Sequence, residues 1–168
     1  MKCSPLSVVL PDSRGKHYLL NVMDTPGHPG FSDEVTAAFR IADGALLVVD
    51  CIEGVTYFTE KLIKEALRTH LRIVVVLNKI DRLVLELKLP PTDAYYKIKH
   101  TLDDINVVIQ KYSNLFGGDG NKQQLISPLN SNVIFMSTQF GCAFTVQSFA
   151  KRYAENLAIL GGQNKNGK

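Results

Sequence analysis

Two short polar motifs each follow a run of apolar residues that is typical of a β-strand. The first motif begins after the run at residues 17–23, and the second begins after the run at residues 73–77. In sheets that lie between helices, ligands bind beyond the carboxyl ends of the strands, so both motifs lie where a ligand would contact them. Either motif alone is also typical of an ordinary turn or a polar strand end, but together they predict one binding site. The motifs are Asp24-Thr25-Pro26-Gly27-His28 and Asn78-Lys79-Ile80-Asp81.

The second motif has the chemistry to recognise guanine. Guanine presents two adjacent donors, N1–H and the N2 amino group, and a carboxylate offers two acceptors at matching separation, so we expect Asp81 to bind the base bidentately. Adenine would place its N1 acceptor against the same carboxylate and be rejected. We expect Asn78 to tie neighbouring loops together and the aliphatic stem of Lys79 to lie along the base. Ser137 and Thr138, after the last predicted strand, are expected to offer backbone N–H groups to the guanine oxygen, although alone they are a polar loop.

The first motif suits phosphate, metal and water. Asp24, at a strand end, is expected to hold Mg²⁺ through water, and the backbone N–H of Gly27 can approach a γ-phosphate because no Cβ intervenes. His28 would then lie beside the attacking water and orient it, as a glutamine does in some GTPases. The alternative for His28 is an exposed loop histidine without a catalytic role.

The elements around the motifs predict an α/β fold with a mainly parallel sheet flanked by helices. Apolar runs predict a hairpin from residues 7–10 and 17–23 and further strands at 45–49, 73–77 and 133–136. Apolar residues at helical spacing predict helices over 31–42, after a cap at Thr59, over 90–112, and after a cap at Thr145. Residues 113–132 are expected to form a long loop or a disordered excursion, and residues 161–168 a flexible tail after one domain at 1–160.

The composition is that of an ordinary globular domain. The chain has 168 residues, of which 45% are hydrophobic and 21% charged, and its net charge of +3 is too small to indicate nucleic-acid or membrane binding by charge alone. No apolar run approaches the roughly 20 residues of a membrane span, so we expect a soluble intracellular chain. The three cysteines argue against a disulfide framework and a zinc site, and Cys51 and Cys142 are expected in the core.

The motif residues resemble the translational GTPase family. The first motif, with residues 31–37, is similar to the third GTPase motif and switch II of elongation factor 2 and its relatives, and the resemblance extends from Ser7 to about Ala158. Residues 78–82 and 85–97 are most similar to the spliceosomal branch of the family, the elongation-factor-2-like GTPases of the U5 small nuclear ribonucleoprotein. Ribosomal elongation factor 2, a translocase, is the alternative within the family.

The resemblance implies a P-loop-GTPase-like fold, a partial GTP-binding domain over residues 1–160, and GTP hydrolysis by the complete domain with GTP or GDP and Mg²⁺. It implies His28 as the catalytic residue, Asp24 as the metal residue, and both motifs with Ser137 and Thr138 as nucleotide contacts. For the spliceosomal branch it implies pre-mRNA splicing in the nucleus. The implied partners are a large scaffold protein, an RNA helicase and the U5 RNA of that particle, with no membrane and no DNA.

Two departures from the family pattern bear on function. Pro29-Gly30 follows His28, where relatives usually carry other residues, and is expected to alter how the switch II segment turns. The sequence contains no G-x-x-x-x-G-K-[ST] phosphate loop and opens at the family's second strand, so the fold is expected to be truncated, without the first strand, that loop, the first helix and switch I. In the family's sheet the first strand lies between residues 17–23 and 45–49, so two apolar strand edges are expected to be unpaired.

The truncation leaves three functional hypotheses. The first is a GTPase-domain fragment that is inactive alone and binds no nucleotide tightly. The second is a scaffold that keeps a relic nucleotide site, packs against partners and hydrolyses nothing. The third is an unrelated doubly wound domain that contains the motifs by chance.

Overall fold

The computed structural model describes residues 2–12, 14–116 and 125–163, with side chains described as far as residue 157. Its first part is an antiparallel hairpin of β1 (Ser4–Pro11) and β2 (His17–Asp24), which forms a sheet of its own. The Cys3 thiol, just before the hairpin, donates to the backbone oxygen of Glu34 at 3.5 Å. This bond connects the hairpin to the first helix.

The main sheet consists of β3 (Gly44–Asp50), β4 (Arg72–Asn78), β5 (Val133–Ser137) and β6 (Cys142–Phe144), in that order. The first three strands are parallel and β6 is antiparallel to β5. Because parallel strands share a direction, β3, β4 and β5 end at the same edge of the sheet, and Asp50 lies opposite Asn78 in the register. That shared edge is what brings the polar strand ends together.

Helices flank the main sheet, so the predicted α/β class with a mainly parallel sheet is confirmed. They are α1 (Ser32–Phe39), α2 (Tyr57–Arg68), α3 (Ile80–Leu85), α4 (Pro91–Phe116) and α5 (Val146–Gln163), with 3-10 turns at Pro29–Phe31 and Pro128–Asn130. Among the described residues, no helix combines the length and the apolarity that crossing a membrane requires.

The hydrophobic core lies between the main sheet and helices α2 and α4. Alternate residues of a strand point to opposite faces, so Leu47 and Val49 of β3 are buried against these helices while Leu46 and Val48 are 62% and 58% exposed. Ile63 of α2 and Ile105 of α4 are fully buried in the same cluster. Burial of side chains from both helices against β3 and β4 anchors these two strands in the core.

Helix α5 covers the end of the sheet at β5 and β6 through neighbouring aromatic rings. The ring of Phe144 lies 5.5 Å from that of Phe135 and 5.7 Å from that of Phe149, which in turn lies 6.5 Å from Tyr153. Phe149 and Tyr153 each remain 59% exposed, so this cover is partial.

Two strand edges are unpaired, as the sequence predicts. β2 is at one end of the hairpin sheet and β3 is at one end of the main sheet, and within the described residues the two strands do not pair with each other. Leu19 and Val22 of β2 and the outer residues of β3 expose apolar surface beside these edges. An unpaired apolar edge is a template for association with another chain.

Helix caps and cysteines show one correction each. α2 begins after Thr56 rather than at a cap by Thr59: the Thr56 hydroxyl accepts from the Thr59 N–H at 3.2 Å, and the Thr59 hydroxyl accepts from the Thr56 N–H at 3.4 Å. The predicted cap at Thr145 is confirmed, because its hydroxyl accepts from the Ser148 N–H at 3.1 Å. Cys51 is buried as expected, but Cys142 is exposed because β6 is a three-residue edge strand.

The predicted loop at residues 113–132 differs from the structure at its start, where residues 113–116 belong to α4. α4 continues to Phe116, and residues 117–124 lie outside the described residues. Beyond them, the Asn106 side chain donates to the Ile126 oxygen and accepts from the Ile126 N–H, both at 2.9 Å. Of the predicted tail, residues 161–163 belong to α5 and residues 164–168 lie outside the described part.

We expect Ile105→Ala to lower the free energy of unfolding by roughly 2–5 kcal/mol, because it leaves a cavity between α4 and the sheet. Val107→Ala on the same helix, where the side chain is exposed, should change it by no more than about 0.5 kcal/mol. Urea unfolding followed by circular dichroism measures both. Equal losses for the two variants would show that the core is not where the structure has it.

We expect Val48→Lys to reduce self-association of the chain, since a lysine on an edge strand opposes pairing with another chain. Leu47→Lys, one residue away but on the buried face, should unfold the protein instead. Light scattering at increasing concentration, with circular dichroism as the check on folding, separates the two effects. If the Val48→Lys protein is folded and associates as strongly as the parent, the β3 edge is not the surface responsible.

Candidate functional site

The side chain of Asn78, the last residue of β4, connects two loops. Its Oδ1 accepts from the Lys79 N–H at 2.8 Å, from the Thr138 N–H at 3.3 Å and from the Thr138 hydroxyl at 3.0 Å. Thr138 directly follows β5, so one amide oxygen holds the ends of two parallel strands. The loops that carry the second motif and Thr138 are thereby fixed relative to each other.

Asp81 is held by Ser137, the residue before Thr138. The hydroxyl of Ser137, a buried residue at the end of β5, donates to Asp81 Oδ1 at 2.5 Å and accepts from the Phe140 N–H at 3.4 Å. In the described part of the chain, this is the one hydrogen bond made by the Asp81 side chain. The half-buried carboxylate is therefore fixed in orientation and keeps acceptor positions for a ligand with adjacent donors.

Lys79 has a backbone conformation that residues other than glycine rarely adopt. Its φ of 61° and ψ of 36° lie in the left-handed region, where it caps α3, and Ile80 begins that helix. A non-glycine residue there costs roughly 1–3 kcal/mol and is found preferentially at functional sites. The left-handed turn places Asp81 in the first turn of α3, within reach of Ser137.

Asp50, which the sequence analysis did not identify, pairs with the second motif. Its Oδ2 lies 2.9 Å from Lys79 Nζ and 3.3 Å from Arg82 Nη1, and its Oδ1 accepts from the Ile52 N–H at 2.8 Å. Burial alone would raise the pKa of Asp50, but the hydrogen bond from Lys79 and the Ile52 N–H outweigh it and lower the pKa. The bond to Asp50 and its charge raise the pKa of Lys79. A carboxylate at the end of the neighbouring strand was the available signal, because Asp50 ends β3 as Asn78 ends β4.

The first motif leaves β2 and enters a short 3-10 turn. Asp24 is the last residue of β2, Thr25 is half-buried, Pro26 is buried, and Gly27 and His28 are exposed. His28 caps the turn Pro29–Phe31 with its side chain, since Nδ1 accepts from the Gly30 N–H at 3.0 Å. A Cβ placed on Gly27 would meet no atom within 4 Å, so the protein's own packing does not require this glycine.

The structure therefore joins one group of the predicted site residues and leaves the other apart. Asn78, Asp81, Ser137 and Thr138 form a hydrogen-bonded cluster at the edge of the main sheet. The first motif follows the hairpin sheet, and within the described residues no hydrogen bond or ion pair links it to that cluster. No group of three His, Cys, Asp or Glu side chains in this part of the chain is arranged to hold a metal ion.

Comparison with known proteins gives relatives that are named as components of the U5 small nuclear ribonucleoprotein or as a splicing factor. They include the 110 kDa U5 small nuclear ribonucleoprotein component CLO and the 109 kDa component GFL, both of Arabidopsis thaliana, at 55% and 51% identity, and the pre-mRNA-splicing factor cwf10 of Schizosaccharomyces pombe at 44%. Each alignment covers 155 residues and 92% of this chain. The chain spans only 15% or 16% of the length of these relatives. The predicted resemblance to the spliceosomal branch is confirmed.

A solved structure supports the fold. The translation elongation factor SelB of Methanococcus maripaludis, in complex with the GTP analogue GPPNHP, matches with a TM-score of 0.58 over 97% of this chain and 28% of that one, at 23% identity. The sequence profile of the elongation factor Tu GTP binding domain matches residues 2–157. Because that match covers most of the sequence, the chain belongs to the elongation factor Tu GTP binding domain family.

Proposed function

We propose that this chain is part of the GTP-binding domain of an elongation-factor-2-like GTPase that acts in pre-mRNA splicing. The observation that carries the proposal is the cluster in which Ser137 donates to Asp81 while Thr138 donates to Asn78. Two loops meet there around a carboxylate with acceptor positions to spare. Guanine, with two adjacent donors on its pairing edge, is the base that suits such a carboxylate.

In this proposal each member of the cluster has one task toward the base. Asp81 accepts from guanine N1–H and the N2 amino group, and Ser137 holds the carboxylate in the orientation that this requires. The stem of Lys79 lies along the face of the base while its ammonium group stays paired with Asp50. The loop at Ser137 and Thr138 is proposed to face the guanine oxygen with a backbone N–H, and the Thr138 N–H would have to exchange its 3.3 Å bond to Asn78 for that contact.

The first motif is proposed to act at the phosphates. Mg²⁺ usually takes one or two protein carboxylates and completes its shell with water and phosphate oxygens, so a single Asp24 fits the part of a magnesium residue. The ion, when bound, would neutralise charge on the phosphates. No atom lies within 4 Å of where a Cβ on Gly27 would be, which leaves room for a γ-phosphate to approach the Gly27 N–H, and His28 orients the attacking water.

The setting of this activity is proposed from the relatives. Proteins at 44–55% identity are named as U5 small nuclear ribonucleoprotein components or a splicing factor, which supports the nucleus as location and components of that particle as partners. We extend the proposal to a large scaffold protein, an RNA helicase and the U5 RNA. The similarity of these relatives favours the splicing branch over ribosomal elongation factor 2.

One observation favours a second function, a scaffold that binds partners and hydrolyses nothing. The 168 residues contain no G-x-x-x-x-G-K-[ST] sequence, and that loop supplies the lysine and the backbone cradle of the β- and γ-phosphates. Nucleotide binding by these residues then depends on the base cluster alone. Titration with nucleotide separates the two functions.

We expect the 168-residue chain to bind GTP with Mg²⁺ far more weakly than micromolar. Each missing charge-assisted phosphate contact removes roughly 1.5–3 kcal/mol, and several such losses shift a dissociation constant by about a thousandfold. Isothermal titration calorimetry measures the affinity directly. Micromolar binding would mean that another part of the chain holds the phosphates.

We expect Asp81→Asn to change which base is accepted, in a chain that also carries the family's phosphate loop. The new amino group faces the N2 amino group of guanine, and an unpaired buried donor costs roughly 1–3 kcal/mol, so GTP affinity should fall about tenfold or more. Xanthine carries an oxygen at that position and should bind more tightly. Competition between GTP and xanthosine triphosphate measures the preference.

The matched control for this substitution is Asp104→Asn, which removes the same charge from an exposed position on α4. It should leave the preference for GTP over xanthosine triphosphate as it is in the parent. If Asp81→Asn gives the same preference as this control, Asp81 does not read the base.

A further inference from the structure

The Pro29-Gly30 dipeptide, which departs from the family pattern, forms a contact with the side chain of His28. The Gly30 N–H donates to His28 Nδ1 at 3.0 Å, and the Phe31 N–H donates to the backbone oxygen of His28 at 3.0 Å. The ring of Phe31 lies edge-on to the imidazole with 6.0 Å between centroids. The imidazole is thus held by its own turn, although the residue is exposed.

The contact depends on residue 30 having no side chain. A Cβ on Gly30 would lie 3.1 Å from His28 Nδ1 and 3.3 Å from Cε1, closer than nine in ten Cβ contacts in proteins, so the imidazole would have to move by a few tenths of an ångström. A Cβ on Gly27, three residues earlier in the same segment, would meet nothing within 4 Å. Of these two glycines, only Gly30 makes room for the imidazole of His28 in the position that it occupies.

The hydrogen bond also determines where the imidazole carries its proton. A neutral imidazole has one N–H donor and one acceptor nitrogen. Since Nδ1 accepts from Gly30, a neutral ring carries its proton on Nε2. A ring in this state donates from Nε2 and has no acceptor left there.

We propose that Gly30 is a positioning residue that sets the direction and the tautomer of the His28 imidazole. For its catalytic meaning the inference rests on the proposed function: His28 would orient the attacking water by donating a hydrogen bond from Nε2–H, and while neutral it would not remove the proton of that water. The arrangement itself exists without nucleotide, because every contact in it lies within residues 28–31.

The test is nuclear magnetic resonance of the ¹⁵N-labelled 168-residue chain at about pH 8, where histidine side chains in general are neutral. A scalar coupling across the hydrogen bond between the Gly30 nitrogen and His28 Nδ1 reports the contact, and long-range ¹H–¹⁵N correlation reports the tautomer. The parent should show this coupling and the Nε2–H tautomer. Gly30→Ala should lose the coupling, whereas Gly27→Ala, which adds the same methyl group in open space, should keep it.

The possible outcomes separate this inference from the GTPase proposal. Loss of the coupling in Gly30→Ala alone, with well-dispersed spectra for all three proteins, supports Gly30 as the positioning residue even if the chain binds no GTP. Absence of the coupling in the parent, a parent with the proton on Nδ1, or a coupling that survives Gly30→Ala overturns it. If Gly30→Ala perturbs the whole spectrum, His28→Ala replaces it, and an unchanged Gly30 amide proton shift in that variant also overturns the inference.

Discussion

The side-chain oxygen of Asn78 is the acceptor on which the geometry of the site depends. It accepts from Lys79 in its own loop and from Thr138 in the next, so the ends of β4 and β5 keep one separation. At that separation the Ser137 hydroxyl donates to Asp81. The strands that carry these loops are anchored in turn by the core, where Val75, Leu77 and Val133 are fully buried.

Ion pairs connect the end of a third strand, β3, to residues that follow β4. Asp50, at the end of β3, pairs with Lys79 and Arg82, and Arg82 also pairs with Glu86 at 2.8 Å. The pair with Asp50 holds the side chain of Lys79, the residue whose backbone is left-handed. Because the pKa of Asp50 is lowered in the folded chain, its pairs stabilise the fold above the unfolded-state pKa, and this contribution is lost as the pH falls through the folded-state pKa.

The sequence predicts the strands and the position of the second motif well. Continuous apolar runs such as that of β4 indicate strands that are buried on both faces. The sequence does not predict α3, whose six residues begin inside the polar motif, or β6, whose three residues form only because β5 offers an edge. Asp50 was missed because its role depends on the register of β3 with β4. The Gly30 contact was missed because it depends on the rotamer of His28, which no spacing encodes.

Recognition of guanine at the edge formed by β3, β4 and β5 is the central claim, and it can be tested without phosphate affinity. The measurement is a titration of the ¹⁵N-labelled chain with GDP and, separately, with ADP, at concentrations up to about 10 mM, a range that suits millimolar binding. The account predicts that GDP shifts the amide signals of residues 78–82 and 137–140 and that ADP leaves them in place. Equal shifts from both nucleotides, or shifts confined to other residues, would contradict it.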